Sequence, residues 1–183
     1  MTRSIIKIEA TQQDHHIAKM AALAIALAVA EAAIPSPLPG IKPGLANIIT
    51  LVVLARYGLK AAIWVSLLRV VAGSLMLGTF LSPSFVLSFA GAMASLAMLA
   101  LAYALPRTLF GPVSASILAS FAHIAGQLTV VYLWLIPHAG LAYLVPVFAA
   151  AALVFGIING LVAAKLLEPL AAPANQNFIA VQP

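Results

Sequence analysis

The sequence predicts an all-α integral membrane protein with six transmembrane helices, and three observations support this prediction. Hydrophobic residues make up 64% of the 183 residues and charged residues only 7%, whereas a soluble domain carries about 25% charged residues. The mean hydropathy is +1.13. Apolar segments, separated by proline and glycine, follow one another along most of the chain. A soluble fold cannot bury this much apolar surface, so the bilayer is the predicted solvent.

A transmembrane helix needs about 20 apolar residues, and six segments reach or approach this length. They are residues 17–35, 44–58, 60–82, 85–105, 110–136 and 140–166. The second is short, as expected for a helix that begins below the membrane surface. Gly58, Pro83 and Pro106 separate neighbouring segments. The predicted organisation is a polar cytoplasmic tail (1–16), one membrane domain (17–166) and a flexible cytoplasmic tail (167–183).

The basic residues predict the orientation, because Lys and Arg concentrate on the cytoplasmic side. With six spans, Lys42 alone falls on the opposite side. Apart from Arg69, which lies within the third segment, the others share one side and are Arg3, Lys7, Lys19, Arg56, Lys60, Arg107 and Lys165. Both termini are therefore predicted to be cytoplasmic, and the connection between the first two segments to be external.

This external connection is rich in proline, with Pro35, Pro37, Pro39 and Pro43 between residues 31 and 47. Alternating prolines favour an extended, stiff backbone. The stretch also contains polar groups in an otherwise apolar region, namely Glu31, Lys42 and Asn47. It is either a shaped cap over a binding site or a rigid turn that fixes two helices. Asn47 opens the second helix, where it either caps the helix or binds ligand.

Arg69 is the most informative single residue, because it lies about 14 Å into the third segment at 1.5 Å per residue. An Arg at that depth costs at least about 2.5–3.5 kcal/mol on insertion scales. Glu31 lies about 21 Å from the same side. Two interpretations remain: a structural Glu31–Arg69 ion pair, or a pair that faces substrate.

Polar and small side chains form stripes on three further helix faces. On the fifth segment, Ser116, Ser120, His123 and Gln127 share one face. Ser66 and Gly73 accompany Arg69, and Ser88, Gly91 and Ser95 lie on the fourth segment. His123 is either a buried neutral histidine bonded to a neighbour or a ligand-binding group. The predicted substrate-binding set is Glu31, Lys42, Asn47, Arg69, His123 and Gln127, and its charges favour an anionic or zwitterionic ligand.

Small residues recur at four-residue spacing in two helices: Ala22, Ala26 and Ala30 in the first, and Gly156 and Gly160 in the last. Such residues allow close approach of helices in membranes. Each stripe predicts either packing inside the bundle or docking of a partner protein.

The sequence lacks the residues that several types of chemistry require. No GxxxxGK[ST] loop for ATP is present, no cysteine is available for metal or redox chemistry, and Asp14 is the only Asp, so the paired Asp clusters that hold Mg²⁺ on a diphosphate are missing. Asp14-His15-His16 is interpreted as a solvated membrane-entry segment rather than a metal site. No cofactor, catalytic residue or nucleic-acid partner is predicted, and whether the protein is an enzyme is left open.

Four motifs resemble a bacterial membrane family called Gx transporter, also labelled heptaprenyl diphosphate synthase component I. They are IPSPLPGIKPGLAN at 34–47, RVVAGSLMLGTF at 69–80, SFAGA at 88–92 and AHIAGQL at 122–128. The family is similar to the substrate-binding (S) components of energy-coupling factor (ECF) transporters. This resemblance implies a multi-pass protein of the bacterial cytoplasmic membrane that captures a small molecule from outside. It also implies docking through Ala22, Ala26 and Ala30 onto a scaffold subunit with two ATPases.

Two other functions remain as alternatives. The protein is either an accessory membrane subunit of isoprenoid or quinone metabolism that binds a prenyl diphosphate, or a structural anchor in a larger complex. A structural anchor would not explain why polar residues lie within the apolar segments.

Overall fold

A computed structural model describes residues 10–34, 43–104 and 111–171, with side chains described up to residue 168. These parts of the chain are helical and contain no strand. The α-helices are α1 (Gln12–Ala32), α2 (Leu45–Met76), α3 (Pro83–Ala104), α4 (Pro112–Val130) and α5 (Val145–Ala171). A π-helical turn (Val131–Leu135) and a 3₁₀ turn (Ala139–Leu144) connect α4 to α5. The predicted all-α class is confirmed.

Within the described residues, five helices are long and apolar enough to cross a membrane: Gln12–Ala32, Leu59–Met76, Pro83–Ala104, Pro112–Leu135 and Ala139–Glu168. Large apolar side chains cover their outer faces, among them Trp64, Leu101, Leu133 and Leu161, each more than half exposed. The fold is that of a multi-pass helical membrane protein.

The predicted break at Gly58 lies inside α2. Gly58 has φ +83° and ψ 179°, a conformation that residues with a side chain rarely adopt. It divides α2 into α2a (Leu45–Tyr57) and α2b (Leu59–Met76). If these were collinear, residues 47 and 69 would lie about 33 Å apart at 1.5 Å per residue. Their side chains share a hydrogen bond, so α2 is a helical hairpin that reverses at Gly58.

The short helix α2a is the centre of the hydrophobic core. Every residue from Ile48 to Leu54 is buried, and a helix that is apolar all round belongs in an interior. Its neighbours contribute mostly small side chains: Ala21 and Ala24 of α1, Ala61 and Ala62 of α2b, Ala119 of α4 and Ala163 of α5. The second predicted segment therefore forms a helix, but one shorter than the about 20 residues of a span and enclosed by protein.

Helix α1 begins at Gln12, five residues before the predicted start, because a capping box stabilises its first turn. The backbone N–H of Thr11 donates to Asp14 Oδ2 (2.8 Å), and the N–H of Asp14 donates to Thr11 Oγ1 (3.2 Å). His15 and His16 contact the carbonyls of Thr11 and Gln12 through Nδ1. The Asp-His-His sequence thus forms the first helical turn. At the other end of the chain, α5 continues past residue 166 to Ala171, and Leu167 packs on the core.

The two small-residue stripes have opposite surroundings. A Cβ on Gly156 would lie 2.9 Å from Ile117 Cα, and one on Gly160 would lie 2.7 Å from Val113 Cα. This glycine pair therefore packs α5 against α4 within the bundle. Ala22, Ala26 and Ala30 are exposed on the outer face of α1, which packs mainly on α2.

Candidate functional site

A cavity of about 250 Å³ opens between the helices at the end of the bundle where α1 ends and α2a begins. All five α-helices contribute to its wall. Every described member of the predicted substrate-binding set lines it, namely Glu31, Asn47, Arg69, His123 and Gln127. Lys42 lies outside the described residues. Apolar surface comes mainly from Leu77, Phe85, Ile124 and Phe155.

Arg69 enters the cavity from α2b and is only 8% exposed. Its Nη1 donates a 2.9 Å hydrogen bond to Asn47 Oδ1 on the antiparallel α2a. The hairpin at Gly58 places these two side chains at the same depth. Asn47 does not cap α2, because Gly44 occupies the N-cap position. The capping role predicted for Asn47 is therefore wrong, and its side chain lines the cavity.

Glu31 lies near the C-terminal end of α1 and is 6% exposed. Its carboxylate accepts a hydrogen bond from the backbone N–H of Gly44. Glu31 and Arg69 line the same cavity but form no direct ion pair; within the described chain each has a different partner. The structural ion pair, one of the two predicted interpretations, is therefore not formed, and both charged groups face the cavity.

Asn159 of α5 is a site residue that the sequence analysis missed. It is 2% exposed, and its Nδ2 donates to the carbonyls of Pro43 (3.0 Å) and Gly44 (3.3 Å). Its Oδ1 is buried and finds no partner among the described residues. The available signal was a single Asn in the apolar segment 140–166, since polar residues in membrane helices face the bundle interior.

His123 and Gln127 lie one turn apart on α4, as their spacing predicts. The amide nitrogen of Gln127, Nε2, lies 3.2 Å from His123 Nε2. The direction of this hydrogen bond depends on the tautomer of the imidazole ring, whose second nitrogen is Nδ1. That Nδ1 is buried without a partner in the described chain. A Cβ on Gly91 of α3 would lie 2.7 Å from the imidazole ring, so this glycine makes room for His123.

A second, much smaller cavity of about 10 Å³ lies deeper in the bundle. Hydroxyl groups of Thr50, Ser66, Ser95 and Ser116 surround it, and the Thr50 hydroxyl has no partner in the described chain. Asn47 and Ser120 line both cavities and therefore form the partition between them. This space is near the minimum for one water molecule. The predicted polar stripes thus converge in the interior.

The described part of the cavity wall carries few charged groups. Among the described residues that line the large cavity, Glu31 is the one carboxylate and Arg69 the one permanent cation. Holding Mg²⁺ on a diphosphate requires more oxygen ligands than Glu31 supplies. Amide, hydroxyl and imidazole groups complete the polar wall, so the site offers hydrogen bonds and one charge of each sign.

The family model described as heptaprenyl diphosphate synthase component I matches residues 20–166, and the chain therefore belongs to this family. The matched region contains all the described site residues. The predicted resemblance to this family is confirmed. No curated protein and no solved structure matches the chain.

Proposed function

We propose that this member of the heptaprenyl diphosphate synthase component I family is the substrate-binding membrane subunit of a small-molecule uptake transporter, similar to the S components of ECF transporters. The observation that carries the proposal is the convergence of Glu31, Asn47, Arg69, His123 and Gln127 on one cavity inside an apolar helix bundle. Ionisable residues within membrane helices are costly and mark ligand or ion pathways.

The unpaired polar atoms support a binding role. Buried polar atoms without a partner cost about 1–3 kcal/mol each, yet His123 Nδ1 and Asn159 Oδ1 both belong to residues of the cavity wall. Since a purely structural bundle gains nothing from these groups, a ligand that bonds to them accounts for their presence.

The distribution of basic residues supports access from outside. Lys19, Arg56, Lys60 and Lys165 lie toward the end of the bundle opposite the cavity. With the positive-inside rule, that end is cytoplasmic, both termini are cytoplasmic, and the proline-rich connection is external. The proposed location is the bacterial cytoplasmic membrane.

The proposal assigns energy supply to partners, because the chain has no ATP-binding loop of its own. The exposed stripe Ala22, Ala26 and Ala30 on α1 is the proposed docking surface for a scaffold subunit with ATPases. Its small side chains permit close helix contact. The glycine pair of the last helix packs against α4 within the bundle and is therefore not a second candidate for the docking surface.

A second candidate follows from the family's description: an accessory subunit that binds a prenyl diphosphate. The cavity of about 250 Å³ is below the usual ~300–1,000 Å³ of ligand pockets. It accommodates a headgroup rather than a long prenyl chain, whose tail would have to lie in lipid.

One purification distinguishes the two candidates. Tagged wild type, Arg69→Gln and the control Lys60→Gln, which removes a charge outside the cavity, are extracted from their own membranes in mild detergent. Co-purifying proteins and small molecules are identified by mass spectrometry. Transport predicts a water-soluble metabolite that Arg69→Gln loses and Lys60→Gln keeps. A retained prenyl-phosphate lipid without an ATPase favours the second candidate, and retention that is unchanged in Arg69→Gln contradicts both.

A further inference from the structure

We infer that the cavity ligand is a small zwitterion, whose anionic group binds Arg69 and whose ammonium group lies near Glu31 and Asn159. The inference rests on the proposed binding role of the cavity and narrows its substrate class. It depends on which groups of the wall donate hydrogen bonds and which accept them.

The donor groups come from the two arms of the α2 hairpin. A guanidinium carries five N–H donors, and in the described chain only one bond, to Asn47 Oδ1, uses them. The amide of Asn47 carries two further N–H donors. Arg69 and Asn47 therefore present N–H groups that match a carboxylate or phosphate, and a planar guanidinium binds such groups with two parallel bonds.

The acceptor groups are assembled on the Pro43–Gly44 backbone. Glu31 accepts from the Gly44 N–H, while Asn159 donates its Nδ2 to the carbonyls of Pro43 and Gly44. Both side chains thereby contact the same dipeptide. The unpaired Asn159 Oδ1 can only accept. A ligand N–H group beside Glu31 supplies this missing donor.

Charge balance favours a zwitterion over an anion or a cation. The described wall carries one positive charge, on Arg69, and one negative charge, on Glu31. A net charge in a poorly solvated interior is expensive, and a zwitterion adds none. A diphosphate would place several negative charges beside Glu31 with Arg69 as the one described counter-charge.

Two kinds of molecule carry both an anionic group and an ammonium group. A free zwitterion such as an amino acid is one, and the phosphate and ammonium of an ethanolamine phospholipid headgroup are the other. Both place an anion within a few bonds of an ammonium group, which suits the short distance across a cavity of about 250 Å³.

A retention experiment tests the inference. Purified full-length protein in detergent is incubated with an equimolar mixture of three probe sets: the standard amino acids, the acids that lack their amino group, and the amines that lack their carboxylate. Retained probes and lipids are identified by mass spectrometry after rapid washing. Wild type is expected to retain an amino acid, or a bound ethanolamine phospholipid, in preference to acids and amines.

Two charge-removing variants test the polarity of the site. Glu31→Gln keeps an oxygen for the Gly44 N–H but removes the negative charge, so retention is expected to shift at least about tenfold toward acids. Arg69→Gln is expected to shift it toward amines. Lys60→Gln is the matched control, because it also removes one charge from α2b but lies exposed at the end of the bundle opposite the cavity, and it keeps the wild-type preference. If Arg69→Gln is not monodisperse, Asn47→Asp keeps the oxygen that accepts from Arg69 Nη1, adds a negative charge instead and shifts retention toward amines.

Three results would overturn the inference. The wild type could prefer the acids or the amines, it could retain no probe at all, or Glu31→Gln could keep the wild-type preference. Uptake into cells separates this outcome from failure of the transport role. A retained zwitterion without uptake refutes transport and leaves the ligand class standing, whereas uptake of a non-zwitterion does the reverse.

Discussion

The two ends of the helix bundle are built on opposite principles. At the core end, Val53, Val65 and Ala163 are fully buried and Leu99 is 2% exposed, in an interior made mostly of aliphatic side chains with a few hydroxyl groups around the small cavity. At the cavity end, the same helices bring charged and amide side chains to a cavity of about 250 Å³. Close packing of apolar atoms stabilises the core end, whereas the cavity end holds charged and amide groups around open space. The core end therefore supplies stability, and the cavity end is the proposed ligand-binding end.

The largest expected loss of stability comes from the core end. Leu99→Ala leaves a void beside α2a and is expected to reduce the free energy of unfolding by about 2–5 kcal/mol. The control is Leu101→Ala on the same helix, whose side chain is 62% exposed and leaves no void. Unfolding in detergent micelles by SDS titration measures both, and equal losses would contradict a core centred on α2a.

The next largest loss of stability is expected where α4 and α5 are in close contact. Gly160→Ala places a Cβ 2.7 Å from the backbone Cα of Val113, which can move only with all of α4, so we expect a loss of about 1–3 kcal/mol. Gly111→Ala is the control, because nothing lies within 4 Å of a Cβ there. The same SDS titration applies, and a neutral Gly160→Ala would show that α4 and α5 separate readily.

At the cavity end the same substitution is expected to affect binding more than stability. In Gly91→Ala the new Cβ meets the His123 ring, the movable end of a side chain, so the stability loss should remain below that of Gly160→Ala. The displaced ring loses its bond to Gln127, and ligand retention should decrease.

A double-mutant cycle checks this cause. With His123→Ala as the background, Gly91→Ala should have no further effect on retention, because the ring it displaces is absent. An undiminished effect in that background would mean that Gly91 acts on the helix packing instead.

The smallest effect on stability is predicted outside both ends, on the outer face of α1. Ala26→Leu adds an exposed side chain and should leave the unfolding free energy within about 0.5 kcal/mol of wild type. It should nevertheless reduce co-purification of a scaffold partner, since it fills the small-residue stripe. Leu23→Phe, which enlarges a side chain that is already bulky and exposed on the same helix, is the control. Equal recovery of partner with Ala26→Leu would refute the docking surface.

Much of the candidate site could be predicted from the sequence, because a charged or polar side chain in an apolar membrane helix costs free energy and is therefore conspicuous. Arg69 stands out in an apolar helix, and the spacing of His123 and Gln127 puts them on one face. Asn159 was missed because one neutral amide in a long apolar segment costs little and has no patterned neighbour. The sequence analysis predicted 44–58 and 60–82 as two successive spans, and the structure joins them as the hairpin that reverses at Gly58.

By itself, the sequence determined the solvent and the elements: its composition requires a membrane, and proline and glycine positions divide it into helices. Only the tertiary structure decided which of two equivalent patterns faces inward. Gly156 and Gly160 are buried against α4, while Ala22, Ala26 and Ala30 are exposed. The tertiary structure also determined that Arg69 bonds to Asn47 and that Glu31 accepts a hydrogen bond from the Gly44 backbone. Spacing fixes which residues share a face, but the partner of a face depends on contacts between segments far apart in the chain.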